Sequence, residues 1–436
     1  MMNNPEFKRN IWLELSLHRL IAAPVLLGLV FFVAMQNDHG LVMTNTIAKS
    51  IFIIATILWG SQLAFSSVSD ELQNRTWDNQ RMSALSPLKL AWGKLLGATA
   101  FAWYIGLPCI IVMLLTPEVS LTASNLQVSI SLVLGALFAQ GLAFVSALTA
   151  AKSNAMIPRG LSLLFLFVLI PIVGRIIYDT NSTTQLWYGV EFARYGFVNA
   201  SLLIFTAWTW LASYRVMQAA LQIKVKPWAM IAFVLFSAFY VLGFYNALSI
   251  GNFASFAFIF ALSTAYFGAL TEKRDLVSVR RCINPWLAKS PQKALKETPY
   301  FVVLAAFSFV ALLFTLLDTP AGLTAFEKSM LNGQSFVLIG LVLVLLMLRD
   351  IGLLYYFSLS KKPQRAVMTT FFYLMVLYVL LPLLLPKAIG FISYPLMSLT
   401  QGIGVYSSLI LALVHLIVVA GLLYKQHAAM NKSLAT

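Results

Sequence analysis

Residues 51–97 read IFIIATILWGSQLAFSSVSDELQNRTWDNQRMSALSPLKLAWGKLLG, and this stretch decides the fold. An apolar run gives way at Asp70 to a loop carrying Glu71, Arg75, Asp78, Arg81 and Lys89, and apolar residues resume around Gly93-Lys94. The same alternation runs from end to end. Apolar runs fall at about 20–36, 49–68, 93–115, 128–150, 160–178, 198–217, 228–247, 252–271, 299–317, 333–348, 368–385 and 403–424. Each is roughly 16–23 residues, enough for a helix to cross a ~30 Å hydrocarbon core. Helices are the natural form, because each satisfies its own backbone N–H and C=O groups in lipid. Of the 436 residues, 60% are hydrophobic and 10% charged, and mean hydropathy is +0.84. A soluble domain carries about 25% charged residues. The fold class read from this is an all-α membrane protein of about 12 transmembrane helices.

An even number of spans returns both termini to one side. Between the spans, 25 Lys and Arg fall on the N-terminal side, and five (Lys49, Arg175, Arg194, Lys328, Lys387) on the other. Cytoplasmic loops hold the excess of basic residues, so both termini are expected in the cytoplasm. The net charge of +15 then reports topology and attraction to anionic lipid, and no nucleic acid is expected as a partner. Cys109 falls in the outer half of a span and Cys282 in a cytoplasmic loop, too far apart to pair.

The longest loop, 272–298, is too short for a soluble catalytic domain. The chain has no G-x-x-x-x-G-K-[ST], H-E-x-x-H or G-x-S-x-G, so no cofactor or metal is expected on it. Asp and Glu are read as lying in loops and at span ends, with Arg349 in the loop after the tenth span. An ion-coupled secondary transporter places carboxylates near the midplane, and so stands as the second reading. A membrane-embedded enzyme acting on a lipid-linked substrate needs clustered His or carboxylates at one interface, and stands third. His415 is the deep titratable group. It is read as a neutral imidazole bonded to a neighbouring helix, dispensable enough that His415→Gln leaves transport intact.

The chain reads as two six-helix halves, residues 1–220 and 221–436. Each has a charged loop after its second span and a short basic loop after its fourth. Each fifth span ends in a similar string, FLFVLIPIV at 165–173 and VLYVLLPLL at 376–384. An even span count per half implies a parallel pseudo-twofold arrangement about the membrane normal.

In the 70–94 loop, Ser86 suits an N-cap and Pro87 a first helical position, and Trp77 and Met82 offer apolar anchors. The order Glu71, Thr76, Asp78, Ser86-Pro87, Gly93-Lys94 resembles that of the ABC-2 type permeases of type-2 ABC exporters. Arg75 stands where that family usually has Gly. The second half keeps only Glu272 and Ser290-Pro291. The resemblance implies that Glu71, Thr76, Trp77, Asp78, Arg81, Ser86 and Pro87 form a coupling segment docking on a separate ABC ATPase subunit, in two copies. Glu272, Ser290 and Pro291 are the second-half counterparts. ATP and Mg would then lie on the partner, this chain would catalyse no covalent chemistry, and it would sit in a bacterial inner membrane. Truncating Glu71, Trp77 or Arg81 is expected to spare folding and weaken ATPase association. Residues 5–19 read as an amphipathic helix on the inner leaflet, with Phe7, Ile11, Trp12 and Leu15 on one face, similar to the family's connecting helix. Thr56, Trp59, Gln62 and Ser66 recur every three or four residues along span 2, as a translocation path or as helix packing.

The orientation makes a direct prediction. Cysteines at positions 328 and 387 are expected to react with an impermeant thiol reagent added outside intact cells, and cysteines at 293 and 361 to stay unlabelled until the membrane is opened. Labelling of position 293 from outside overturns the twelve-span topology.

Overall fold

A computed structural model describes residues 4–37, 39–83, 85–116, 125–153, 184–223, 225, 228–244, 250–272, 280–281, 284–285, 288–290, 297–317, 335–360, 365–384, 395 and 405–435. It is 86% helical. A two-stranded hairpin, β1 Thr184–Trp187 and β2 Val190–Ala193, turns through Tyr188 and Gly189 at φ 51° and 75°. Among the described residues, eight helices are long and apolar enough to cross a membrane, or nine if one bent pair is a single span. The chain is therefore an all-α protein of multi-pass membrane character. Two compact units divide it, Met1–Leu186 with Val190–Val225, and Trp187–Gly189 with Lys226–Thr436.

The first unit holds α1 Pro5–Glu14, α2 Leu17–Met35, α3 Gly40–Gln73, α4 Trp77–Arg81, α5 Pro87–Ala98, α6 Ala100–Leu115, α7 Asn125–Ser153 and α8 Arg194–Ala220. Asn4 caps α1 by accepting from the Glu6 N–H, with Pro5 at the first position. α1 lies on α5 because α5 is stripped of side chains there. A Cβ on Gly93 would stand 2.9 Å from that of Glu6, and one on Gly97 2.8 Å from that of Asn10. The opposite face, with Trp12 and Leu13, stays exposed, as an interfacial helix requires.

In the first unit the spans depart from the sequence reading in two places. α3 has 34 residues, about 51 Å at 1.5 Å per residue, and starts at Gly40. Lys49 is therefore inside a helix and buried, not in an outer loop. The helix absorbs the polar stretch before Lys49 because its hydroxyls bond back along it, Thr44 to the Gly40 carbonyl and Thr46 to that of Val42. Asn45 reaches across to the Met113 carbonyl and to Thr116. The third span is broken into α5 and α6 by a 55° bend at Thr99, whose hydroxyl bonds to the Leu95 carbonyl at 2.8 Å. Between them, Phe52, Cys109, Met113 and Leu132 form one apolar core and Phe65, Trp77, Leu90, Phe144 and Met217 another.

The second unit holds α9 Trp228–Leu242, α10 Ile250–Thr271, α11 Tyr300–Phe314, α12 Phe336–Ser358, α13 Ala366–Leu384 and α14 Val405–Ala435. α9 and α11 have 15 residues each and coincide with the apolar runs at 228–247 and 299–317. Val234, Phe258, Leu304, Leu312 and Met347 form its main core. α13 widens to a π turn at Val376–Leu380. Pro382 explains it, since it has no N–H for the Tyr378 carbonyl and its ring crowds that group. The run at 160–178, with its FLFVLIPIV string, lies outside the described residues.

α3 ends in a Schellman motif. Arg75 donates to the Leu72 carbonyl at 3.2 Å and Thr76 to that of Glu71 at 2.9 Å, with Arg75 itself left-handed at φ 58°. This is the position where the ABC-2 order has Gly, and the backbone adopts the glycine conformation with an arginine. Left-handed φ costs a side-chain-bearing residue about 1 kcal/mol. Arg75→Gly is therefore expected to raise the unfolding temperature in detergent by a few degrees. A lowered value would mean that the Arg75 side chain contributes more than its backbone costs.

Candidate functional site

Charges gather in two buried clusters, one in each unit. The first sits on the 70–94 segment. Lys94 is 1% exposed, and its Nζ lies 2.6 Å from Glu71 Oε1 and 3.0 Å from Glu6 Oε1. Glu71 also accepts from Arg9 at 3.0 Å and from Gln80 at 3.4 Å. Asn10 donates to Glu6 from the next turn of α1. One ammonium thus joins the end of α3, the start of the third span and the amphipathic helix.

The segment between is built outward from that network. Trp77 opens α4 and is 3% exposed, packed with Phe65, Leu90 and Phe144. Arg81 donates from Nε to the Ala220 carbonyl at 3.2 Å and from Nη1 to Asp78 at 2.8 Å, a cation on the C-terminal end of α8. Ser86 caps α5 by accepting from the Lys89 N–H, with Pro87 first in the helix. Thr76 is exposed and bonds to the Glu71 carbonyl. Asp78 and Met82 are 73% and 79% exposed. Glu71 and Trp77, expected as coupling anchors, are set back from the exposed tip: Glu71 joins an ion-pair network and Trp77 is core.

The second-half counterparts are arranged differently. Glu272 is 8% exposed, and its Oε1 takes the Tyr300 N–H at 2.7 Å, a carboxylate at the N-terminus of α11. Ser290 bonds to the Pro285 carbonyl through its N–H and its hydroxyl. Pro291 lies outside the described residues. In the stripe on α3, Thr56 is fully buried in a π turn at Ile53–Trp59, and its carbonyl takes a hydrogen bond from Gln140 Nε2 at 2.9 Å. Gln140 in turn accepts from Trp103 Nε1 at 3.1 Å. Trp59 stands at the exposed surface, edge-on to Phe101. Ser66 bonds back to the Leu63 carbonyl, and Gln62 is half-buried. The four residues do not share one environment.

The second cluster is one the sequence reading missed. Arg349 and Asp350 are the fourteenth and fifteenth residues of the 23-residue α12, with side chains 2% and 4% exposed. They lie inside a span rather than in the loop after it, because the apolar pattern resumes in IGLLYYFS, 351–358, and the helix continues through both charges. Arg349 Nε donates to Asp350 Oδ1 at 2.8 Å, and Nη2 approaches the same oxygen at 2.6 Å out of hydrogen-bonding alignment. Asp350 Oδ2 accepts from Tyr266 of α10 at 2.9 Å and from Tyr378 of α13 at 2.7 Å. The guanidinium lies 4.9 Å from the Tyr378 ring centre, and its Nη1 lies 3.1 Å from Nδ1 of His415 on α14. One expectation is thereby corrected, since a carboxylate does lie within a span. His415 meets a neighbouring helix, and the group it meets there is the Arg349 guanidinium. The signals were the unbroken apolar run beyond Asp350 and Pro382, whose π turn carries Tyr378. Among the described residues no group of His, Cys, Asp and Glu is set to hold a metal ion.

Comparisons with protein-family models, curated proteins and solved structures find no match to this chain.

The first cluster predicts unequal effects for its cations. Lys94→Met removes the buried cation between two carboxylates and leaves them the half-exposed Arg9, and is expected to cost about 3 kcal/mol. Arg9→Ala removes a half-exposed partner and is expected to cost below about 1 kcal/mol. Unfolding in detergent measures both, and equal losses would remove Lys94 from the centre of the network.

Proposed function

We propose that this chain is the membrane-spanning permease subunit of an ATP-driven ABC exporter in a bacterial inner membrane. A separate ATPase subunit, in two copies, hydrolyses ATP, and the substrate is lipophilic or amphipathic. The observation that carries the reading is the build of the 70–94 segment. Its buried charges fasten it to α1, α3 and α5, and Asp78, paired with Arg81, and Met82 are exposed at its tip. A surface that transmits force needs both properties, an exposed tip for a partner and a stiff connection to the spans. The ABC-2 order of residues falls on this same segment. Glu71, Lys94 and Trp77 then transmit force, and Asp78 and Met82 touch the ATPase. A second reading, the ion-coupled carrier, draws support from Asp350 in the middle of α12.

Co-purification with a P-loop ATPase and transport driven by ATP, rather than by a proton gradient, separate the two readings. Met82→Ala and Asp78→Ala are expected to leave membrane expression unchanged. Truncating a docking anchor costs about 1–2 kcal/mol of association, read as a several-fold loss of ATPase capture or of transport per ATP hydrolysed. Full capture and coupling in both variants would move the docking surface elsewhere.

A further inference from the structure

The second cluster contains a competition that neither reading of transport uses. Arg349 has only donors and keeps its charge. Facing Nη1 at 3.1 Å, His415 Nδ1 must therefore accept, and a neutral ring carries its hydrogen on Nε2. Asp350 takes donors on both oxygens, from Arg349, Tyr266 and Tyr378. The Arg349 guanidinium is balanced by the Asp350 carboxylate, and a neutral His415 adds no charge to the pair.

We propose that His415 Nδ1 is a proton-binding site in the second unit, and that a proton bound there displaces Arg349. The step balances simply. A proton from water forms an N–H bond on the Nδ1 lone pair, and the contact that lone pair accepted from Arg349 Nη1 breaks. Arg349 stays with Asp350. Two N–H donors and two positive charges then face each other, and the polar tie between α12 and α14 is lost. What remains between these helices includes apolar packing, with Gly352 against Val419 and Ile339, Val342 and Leu346 beside Val405 and Ala412. Among the described residues, α10 presents Tyr266 to the cluster and α13 presents Tyr378. α11 meets α12 through Phe301 against Tyr355 and Leu312 against Gly340, with no charged group. Proton occupancy therefore sets whether this one polar contact between α12 and α14 is made, whatever energy source drives transport.

The test uses the isolated full-length chain in phospholipid nanodiscs with ¹⁵N-labelled histidine. The His415 signals are identified by their loss in His415→Gln, and His18, His39 and His427 are internal references. At pH 8, Nε2 should carry the hydrogen and Nδ1 should be bare. Between pH 8 and 5, a proton should add at Nδ1. Arg349→Gln should move the midpoint by at least one pH unit, a tenfold change in proton affinity. A hydrogen on Nδ1 at pH 8, a ring unchanged down to pH 5, or an unmoved midpoint in Arg349→Gln each overturns the proposal. If Arg349→Gln fails to insert, the two measurements on the parent chain decide. None of these signals depends on an ATPase, so loss of the ATP-driven reading leaves the test standing.

Discussion

Lys94 has almost none of its side chain in water, and two carboxylates from two other helices meet it there. An ammonium removed from water without partners costs several kcal/mol, so the ends of α1, α3 and α5 must converge wherever this lysine is buried. The rest of this end of the first unit follows from that. Gly93 and Gly97 let α1 approach, Glu71 closes α3 in register with α5, and the short α4 is left projecting with a buried tryptophan as its root. The burial that stiffens the segment also removes Glu71 and Trp77 from any contact surface.

Within the spans the same electrostatic rule acts in a drier place. Arg349 and Asp350 are neighbours in sequence, and their charges face each other only because the guanidinium folds back along its own helix. Each then draws in a further partner, tyrosines for the carboxylate and an imidazole for the guanidinium, so that three other helices converge on α12. Tyr378 reaches Asp350 from a widened turn that exists because Pro382 cannot donate. A helix defect is thus linked directly to a charge-bearing site. The π turn at Thr56 is the counterpart in the first unit, where a side-chain amide takes the turn's carbonyl.

The sequence by itself determined that this chain is helical and apolar enough to span a membrane many times, since hydropathy is a local property and lipid leaves the backbone little choice. It also determined one cap. Ser86 before Pro87 is decided by residues within one helical turn. What only the tertiary structure decided is where the charges are. Lys49, Lys94, Arg349 and Asp350 sit at positions that local hydropathy assigns to loops or span ends, because a window average treats an ionised side chain as a boundary. Burial of such a group depends on partners 23, 66 or 88 residues away (Glu71 for Lys94, His415 for Arg349, Glu6 for Lys94). No local pattern encodes those partners, and only the packing of helices brings them within reach.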